Sequence, residues 1–458
     1  MISAPVIREI TRIVGHEHLV IAQDAMVEYA SDGTGLEYMP DAVAFPSSNE
    51  EISHILKLAT KEGFPVIPRG AGSGMSGGAL PVEGGLVLVM TRFDRILSID
   101  QDNLICRVEP GVITADLQDA VEAVGLFYPP DPASRDISTI GGNVAECAGG
   151  LRAVKYGVTR DYILGLTIVL PTGEIMKTGV ETMKGVAGYD LTRLITGSEG
   201  TLAVVTAIIL RLIPKPEAKK TMIAFFPDVS SSVRTVSDII IKKIIPTILE
   251  FIDRVCLDCV KEEMDISIPD GALGMLLIEV DGDEASVKQY AEKIRDLCKK
   301  GGCLKFESAS NSREAERLWE ARRNVSPSLL TLRPHKISED IVVPRSMMPE
   351  LFDYLGELGH RYGLPVPAFG HAGDGNIHVN IMLDKNDPKE LENAHALVQS
   401  LFEKLIQLGG TISGEHGIGI TKSPYLEMEI PRQGIDLMRR IKKAFDPEGI
   451  LNPGKIFG

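Results

Sequence analysis

The chain has 458 residues, 44% of them hydrophobic, with a formal net charge of −15. That length is long for one core and favours two domains. The acidic balance argues against a nucleic-acid partner, whose phosphates need a positive surface, yet it leaves room for a local basic pocket for a small acid.

The N-terminus lacks a basic segment, apolar run and small-residue cleavage site, so no signal peptide is expected. No stretch of eighteen or so uncharged apolar residues exists, so no membrane-spanning helix is expected either. Both point to the cytoplasm, with peripheral contact at the inner face of the membrane left open. Six cysteines are too few for a disulfide scaffold and fit a reducing compartment. Cys256 and Cys259 form one CxxC in a predicted helix, FIDRVCLDCVKEEM. No second CxxC completes a four-thiolate zinc site, and no iron–sulfur cysteine run occurs.

Residues 1 to about 35 read as short helices. The segment DAVAFPSSNEEISHILKLATKEGFPVIPRG reads as strand, helix, strand. Ser47 or Ser48 caps that helix, Ile52, Ile55, Leu56 and Ala59 form its apolar side, and Gly63 stops it. The loop PRGAGSGMSGGALP comes next, then the apolar GLVLVM and the extended ILSID and LICRVEPG. A helix covers ITADLQDAVEAVG, and ISTIGGNVAECAGG reads as a second glycine-dense turn region. ILGLTIVLPTGEIMKT and TLAVVTAIILRLIPKP read as strands. A boundary is expected at PKPEAKK, residues 214 to 220. Beyond it, strands at KTMIAFFPD, GALGMLLIEV and DIVVP alternate with helices at VSSSVRTVSDIII, SVKQYAEKIRDLCKK, AERLWEARRNVSPSLL and MMPELFDYLGELGHRYG. This reads as an α+β domain. The tail, RQGIDLMRRIKKAFDPEGILNPGKIF, is a helix followed by a proline-anchored coil.

Two features carry chemistry. The first is the pair of glycine loops, about sixty residues apart. Glycine reaches positive φ freely, and successive amides in such turns make a nest for phosphate oxygens. The first loop is neither a dinucleotide helix fingerprint nor a triphosphate loop, because no helix follows it and no Gly-Lys-Ser/Thr ends it. The second feature is FGHAGDGNIHVNIML, answered by GTISGEHGIG. The two glycines between His371 and His378 permit a tight turn that lets the imidazoles converge. Glu415 adds an oxygen, giving a His-His-Glu set suited to zinc, iron or manganese. Asn380 lies two residues beyond His378 on an extended run and faces the same way. His416, beside Glu415, diverges from it and is free to act as a base. Asp374, before a glycine, is either a turn former or the carboxylate that orients a ligand imidazole.

The chain resembles the flavin-dependent 2-hydroxyacid dehydrogenases related to D-lactate dehydrogenase, D-2-hydroxyglutarate dehydrogenase and the flavin subunit of glycolate oxidase. The segments that carry the resemblance are PRGAGSGMSGGALP, DPASRDISTIGGNVAECAGG, KYGVTRDYILGL, GYDLTRLITGSEGTLAVVT, GHAGDGNIHVN, ISGEHGIG and FDPEGILNPGKIF, in that order, from about Asp41 to the end. The resemblance implies an α+β protein: a vanillyl-alcohol-oxidase (PCMH)-type FAD-binding domain and an α+β cap with an antiparallel sheet. On this chain the FAD-binding domain is expected over 1–215 and the cap over 216–415, with 416–458 returning to the flavin.

The same resemblance places Pro68, Arg69, Gly70, Ala71, Gly72, Ser73, Gly74, Ser76, Gly77, Gly78 and Ala79 around the FAD pyrophosphate. Ser138, Thr139, Gly142, Asn143 and Ala145 lie along it and the flavin, with Glu199, Gly200 and Val205 along the adenine-ribose portion or ring edge. Asn452 approaches the ring from the tail. No histidine stands in the first loop, so FAD is expected to be non-covalent. Arg322 is the implied substrate arginine, with Ser326 one turn later and Lys336 further on.

The implied reaction oxidises a D-2-hydroxy acid, D-lactate to pyruvate first, with D-2-hydroxyglutarate and glycolate as alternatives. The metal holds the hydroxyl and a carboxylate oxygen, His416 takes the proton, and hydride passes from C2 to the flavin. Electrons then leave to electron-transfer flavoprotein, a quinone or an iron–sulfur partner subunit. A homodimer is compatible with the sequence. A different class of reading is a catalytically inactive flavin subunit that only transfers electrons.

Overall fold

The computed structural model describes residues 1–261 and 267–457. The chain divides into two compact units. The first comprises Met1–Gly149, Val158–Lys215 and the tail from Glu415 on; the second comprises Gly150–Gly157 and Pro216–Gly414.

The first unit opens with helix α1 (Ala4–Val14), whose Val6, Ile10 and Val14 are buried at the three-to-four spacing of one helical face. Strand β1 (Leu19–Val20) pairs with β2 (Ala42–Ala44). Helix α2 (Asn49–Glu62) begins at Ser48, whose hydroxyl accepts from the Glu51 N–H. The Glu51 carboxylate reaches back to the Ser47 N–H at 2.7 Å, and Gly63 ends the helix in the left-handed conformation. Strands β3 (Val66–Arg69) and β4 (Leu86–Val89) run parallel and complete a four-stranded sheet of order β1-β2-β4-β3. Its core gathers Ile52, Ile55, Leu56, Val66, Leu86 and Leu88, joined by Ile450 and Leu451 of the tail.

Strands β5 (Ile96–Asp100) and β6 (Ile105–Val108) precede helix α3 (Thr114–Glu122). Helix α4 (Ile140–Glu146) corrects the expectation of a turn region at ISTIGGNVAECAGG. Thr139 caps it, accepting from the Gly142 N–H. Its glycine content reflects packing: a Cβ on Gly141 would stand 2.5 Å from the Pro110 Cβ. Strands β7 (Ile163–Val169), β8 (Ile175–Gly179) and β9 (Val204–Arg211) close an antiparallel sheet of order β5-β6-β9-β7-β8. The tail contributes a helix, Arg432–Phe445.

The second unit starts with β10 (Ala218–Phe226) and helix α5 (Val229–Ile241). Strand β11 (Ile248–Asp253) takes the first three residues of the helix expected at FIDRVCLDCVKEEM; helix α6 covers only Arg254–Val260, capped by Asp253. The end of that expected helix, residues 262–264, lies outside the described residues. Strand β12 (Gly274–Gly282), helix α7 (Glu284–Lys300), strand β13 (Lys305–Ser308) and helix α8 (Ser312–Ser328) follow. Strand β14 runs over His335–Val342, longer than the expected DIVVP. Helix α9 (Met348–Tyr362), strands β15 (Ala368–His371) and β16 (Asn376–Leu383), and helix α10 (Pro388–Gln407) complete the unit. Its sheet has seven strands in the order β13-β10-β12-β11-β15-β16-β14, every described pair antiparallel. The core under it includes Phe225, Leu277, Trp319, Val325 and Phe369. Among the described residues, no helix is long and apolar enough to cross a membrane.

Candidate active site

In the first unit, β3 delivers Arg69 to a cavity of about 230 Å³. Most of the residues expected to bind the cofactor line it: Pro68 to Gly74, Gly78, Ala79, Ser138, Thr139, Gly142, Asn143, Ala145, Glu199, Gly200 and Val205. Glu415 and His416 line it too. Close packing dictates the glycines: a Cβ on Gly70 would stand 2.3 Å from Thr139 Oγ1, and Gly72 has φ +71°. Gly149 is needed because Glu415 packs on it, with Oε2 2.5 Å from where a Cβ would be.

Three of the expected residues brace the cavity rather than line it. Ser76 is buried and receives the Gly78 N–H at 3.3 Å. Gly77 packs against Ile420. Asn452 donates from Nδ2 to the carbonyls of Gly78, at 2.9 Å, and Glu199, at 2.7 Å. It ties the glycine loop to the GSEG turn, a role that needs the tail but not contact with a flavin ring. Glu199 also does more than expected: its carboxylate accepts the N–H groups of Ile418 at 2.8 Å and Gly419 at 2.6 Å. It thereby holds the loop that carries Glu415 and His416.

The cavity fits a large anionic cofactor on its own evidence. Arg69 is buried, with Nη2 on the Ser31 carbonyl at 2.8 Å and Nη1 buried without a partner. A buried guanidinium N–H left unsatisfied is costly, and an anionic ligand removes that cost. The glycine amides and Asn143 add a polar floor.

In the second unit, sheet register brings polar side chains from four neighbouring strands together. Glu250 on β11 stands opposite His371 on β15, and His378 on β16 stands opposite both Phe369 on β15 and Asp340 on β14. Glu250 is fully buried. One of its oxygens binds His371 Nδ1, and the other receives Arg322 Nε at 2.7 Å and Nη2 at 2.5 Å. Burial alone would raise the Glu250 carboxyl, but the charges of His371 and Arg322 and their hydrogen bonds hold it at about 2.

With Nδ1 committed to Glu250, His371 turns Nε2 toward His378 Nε2, 3.4 Å away, the rings perpendicular. Two imidazoles bound tetrahedrally to one zinc ion at about 2.0–2.1 Å stand about 3.4 Å apart. The carboxylate behind the first imidazole is the usual device that fixes a ligand tautomer. Asp340 lies 3.8 Å from His378 Nδ1 and is held by Asn376 Nδ2 at 2.6 Å and the Gly414 N–H at 2.8 Å. Within this unit His378 and Asp340 each offer a ligand atom suited to a divalent ion.

Asp374, the alternative orienting carboxylate, accepts from the Asn376 N–H at 3.3 Å within the turn; the carboxylate on His371 is Glu250. Asn380 is buried, taking the Ser338 hydroxyl at 2.9 Å and donating to the His378 carbonyl at 3.3 Å. Arg322 and Ser326 share a face of α8, and Lys336 reaches Ser326 Oγ at 2.5 Å from β14. Burial lowers the Lys336 pKa. Arg322 also lies 4.5 Å over the Phe369 ring, whereas its neighbour Arg323 is exposed and pairs with Glu316. Cys256 is buried, Cys259 is half-buried beside Thr331, and all six cysteines are free.

Residues 40–179 match the family described as FAD binding domain, and residues 215–456 match FAD linked oxidases, C-terminal domain. The glycolate oxidase subunit GlcD of Bacillus subtilis is 46% identical over 100% of this chain and 97% of its own length. Its Escherichia coli counterpart is 37% identical, over 94% and 87%. The chain belongs to the GlcD-like family of FAD-dependent 2-hydroxyacid dehydrogenases.

The D-lactate dehydrogenase of Anaerostipes hadrus, a member of the same family, is 34% identical over 91% of this chain and 89% of its own. Among solved structures, p-cresol methylhydroxylase superposes with a TM-score of 0.82 at 18% identity, covering 99% of this chain and 96% of that one. This likeness fixes the fold as the vanillyl-alcohol-oxidase type: a PCMH-type FAD-binding domain with an α+β cap. Family membership makes the protein an FAD-dependent oxidoreductase of 2-hydroxy acids.

Glu250, Asp340, Asn376 and Glu146, the last in the cavity lining, went unread in the sequence. The only signal was an acid inside an apolar strand: ILEFID for Glu250 and EDIVV for Asp340. A charge at a buried strand position needs a partner.

Proposed function

We propose that the protein is the flavin-carrying subunit of an assembly that oxidises glycolate, with D-lactate as the second substrate. The sequence alone favoured D-lactate. The 46% identity to a glycolate oxidase subunit along the whole chain, against 34% for a D-lactate dehydrogenase, supports the reverse order. The observation that carries the catalytic reading is the pair of convergent imidazoles backed by Glu250. A subunit kept only for electron transfer has no use for it.

Bound FAD supplies the two-electron acceptor for the hydride leaving C2. A divalent ion, zinc, iron or manganese, would lower the pKa of the substrate hydroxyl. His371 and His378 would hold it, with Glu415 as the third ligand and Asp340 as a further donor. His416 receives the hydroxyl proton at a ring nitrogen. Arg322, Ser326 and Lys336 hold the substrate carboxylate, and Asn380 fixes the strand that carries His378. Electrons then pass to a partner protein or quinone; with no cysteine cluster in this chain, any iron–sulfur centre belongs to the partner.

The test is anaerobic mixing of the holoprotein with glycolate, D-lactate and D-2-hydroxyglutarate while the flavin absorbance is followed. Glycolate should bleach the flavin fastest, a chelator should abolish bleaching, and added metal should restore it. Faster bleaching by either other acid refutes the substrate; bleaching that survives complete metal removal refutes the metal.

A further inference from the structure

Glu146 ends α4 in the first unit and lines the cofactor cavity. Its Oε2 is buried and has no hydrogen-bond partner among the described residues. Its other oxygen faces the first glycine loop, 2.8 Å from the Cβ position of Gly78. A Cβ on Gly417 would stand 2.2 Å from Glu146 Oε2 and 3.1 Å from Glu199 Oε1, so two carboxyls crowd one glycine.

Burial raises the Glu199 carboxyl too, but it is opposed by the two N–H groups that Glu199 accepts and by the charges of Lys455 and Lys422. Glu146 has no such support. Burial, then the charges of Glu199 and Asp32, push its carboxyl well above the usual range, opposed only by a hydrogen bond from Ser76. The other ionisable groups lining the same cavity are Arg69, Glu415 and His416. Two like charges in a dry site cannot both persist, and one carboxyl keeps its proton. A protonated carboxyl is a donor, and this one has no acceptor on the protein for Oε2.

We propose that Glu146 is a cofactor-binding residue: a neutral carboxylic acid that donates its proton in a hydrogen bond to an acceptor atom of bound FAD. An ionised carboxylate there would repel the pyrophosphate and any electron-rich edge of the ring. The neutral acid satisfies the acceptor and itself.

The test is titration of apoprotein with FAD, followed by flavin fluorescence, for wild type, Glu146→Gln and Glu146→Ala. The glutamine keeps a donor at the same place and should bind within about threefold of wild type. The alanine should bind about tenfold more weakly, the worth of one hydrogen bond. Wild-type affinity should fall as pH rises and Glu146 ionises, while Glu146→Gln stays flat. In the alanine variant, a shifted visible flavin band together with lost affinity places the acceptor on the ring; an unshifted band places it on the pyrophosphate. Alanine binding as tightly as wild type overturns the proposal, as does glutamine binding as weakly as alanine. Failure of the wild type itself to bind FAD would instead overturn the cofactor assignment.

Discussion

Replacing Glu250 tests how the second unit is built. Its carboxylate is fully buried and neutralises Arg322 while fixing His371. Glu250→Ala leaves a buried guanidinium without its counter-charge and the His371 Nδ1–H without its acceptor. Removing one partner of a buried ion pair costs about 3–5 kcal/mol. Loss of the carboxylate behind a ligand imidazole costs about 10–100-fold in metal affinity. Both effects should appear together, as a lower denaturation midpoint and as bound metal lost on dialysis. Glu250→Leu with Arg322→Met removes both charges, so it should recover much of the stability while leaving the metal deficit and the loss of activity in place. Chemical denaturation and metal analysis on the three proteins decide it. If Glu250→Ala retains wild-type metal content after dialysis, Glu250 does not orient a ligand. If the double variant is no more stable than Glu250→Ala, the ion-pair account fails.

Asp253 caps α6 and accepts the Ala368 N–H at 2.7 Å, yet burial raises its carboxyl to about 6. A group with a raised folded pKa stabilises most below its unfolded value, near 3.8, and loses that contribution as pH rises through 6. The full shift corresponds to about 3 kcal/mol, of which about 2 kcal/mol falls between pH 4 and pH 7, so Asp253→Asn should gain about 2 kcal/mol on wild type over that range; an equal stability gap at both pH values refutes it. Glu199→Gln can accept only one of the two N–H groups its carboxylate holds, at a cost of about 1–3 kcal/mol. Hydrogen exchange at Ile418 and Gly419 should quicken, and unchanged protection there would remove Glu199 from the loop's support.

What the sequence disclosed was local. The Ser48 cap and the Gly63 stop were legible because they depend on neighbours a few residues away, and so was the apolar face of α2. The turn between His371 and His378 was legible for the same reason: Gly375 has φ +88°, and a Cβ there would stand 2.1 Å from the Val343 carbonyl. Helix α4 was hidden because glycine, normally a helix breaker, is required there by Pro110 rather than by a turn. Strand β11 was hidden because FID and the CxxC were read as one apolar helix, whereas Asp253 is the cap that separates strand from helix. Glu250 and Asp340 were out of reach because their partners lie 121 residues away for Glu250–His371 and 36 for Asp340–Asn376.

Those distances explain why the histidine set belongs to an antiparallel sheet. Along a strand, side chains alternate faces, so the register of β11 against β15 decides whether Glu250 meets His371 at all. A slip of one residue would send Glu250 to the opposite face and set Phe251 or Leu249 beside His371 instead. The hydrophobic neighbours forbid that slip: Leu249 and Phe251 are buried, as is Phe369, the partner of Ile252. The same register sets His378 against Asp340 and Asn380 against Ser338. Apolar packing on alternate positions thus fixes the polar positions between them. The donor atoms keep their geometry because the core on which the sheet rests cannot shift by one residue without burying charge unpaired.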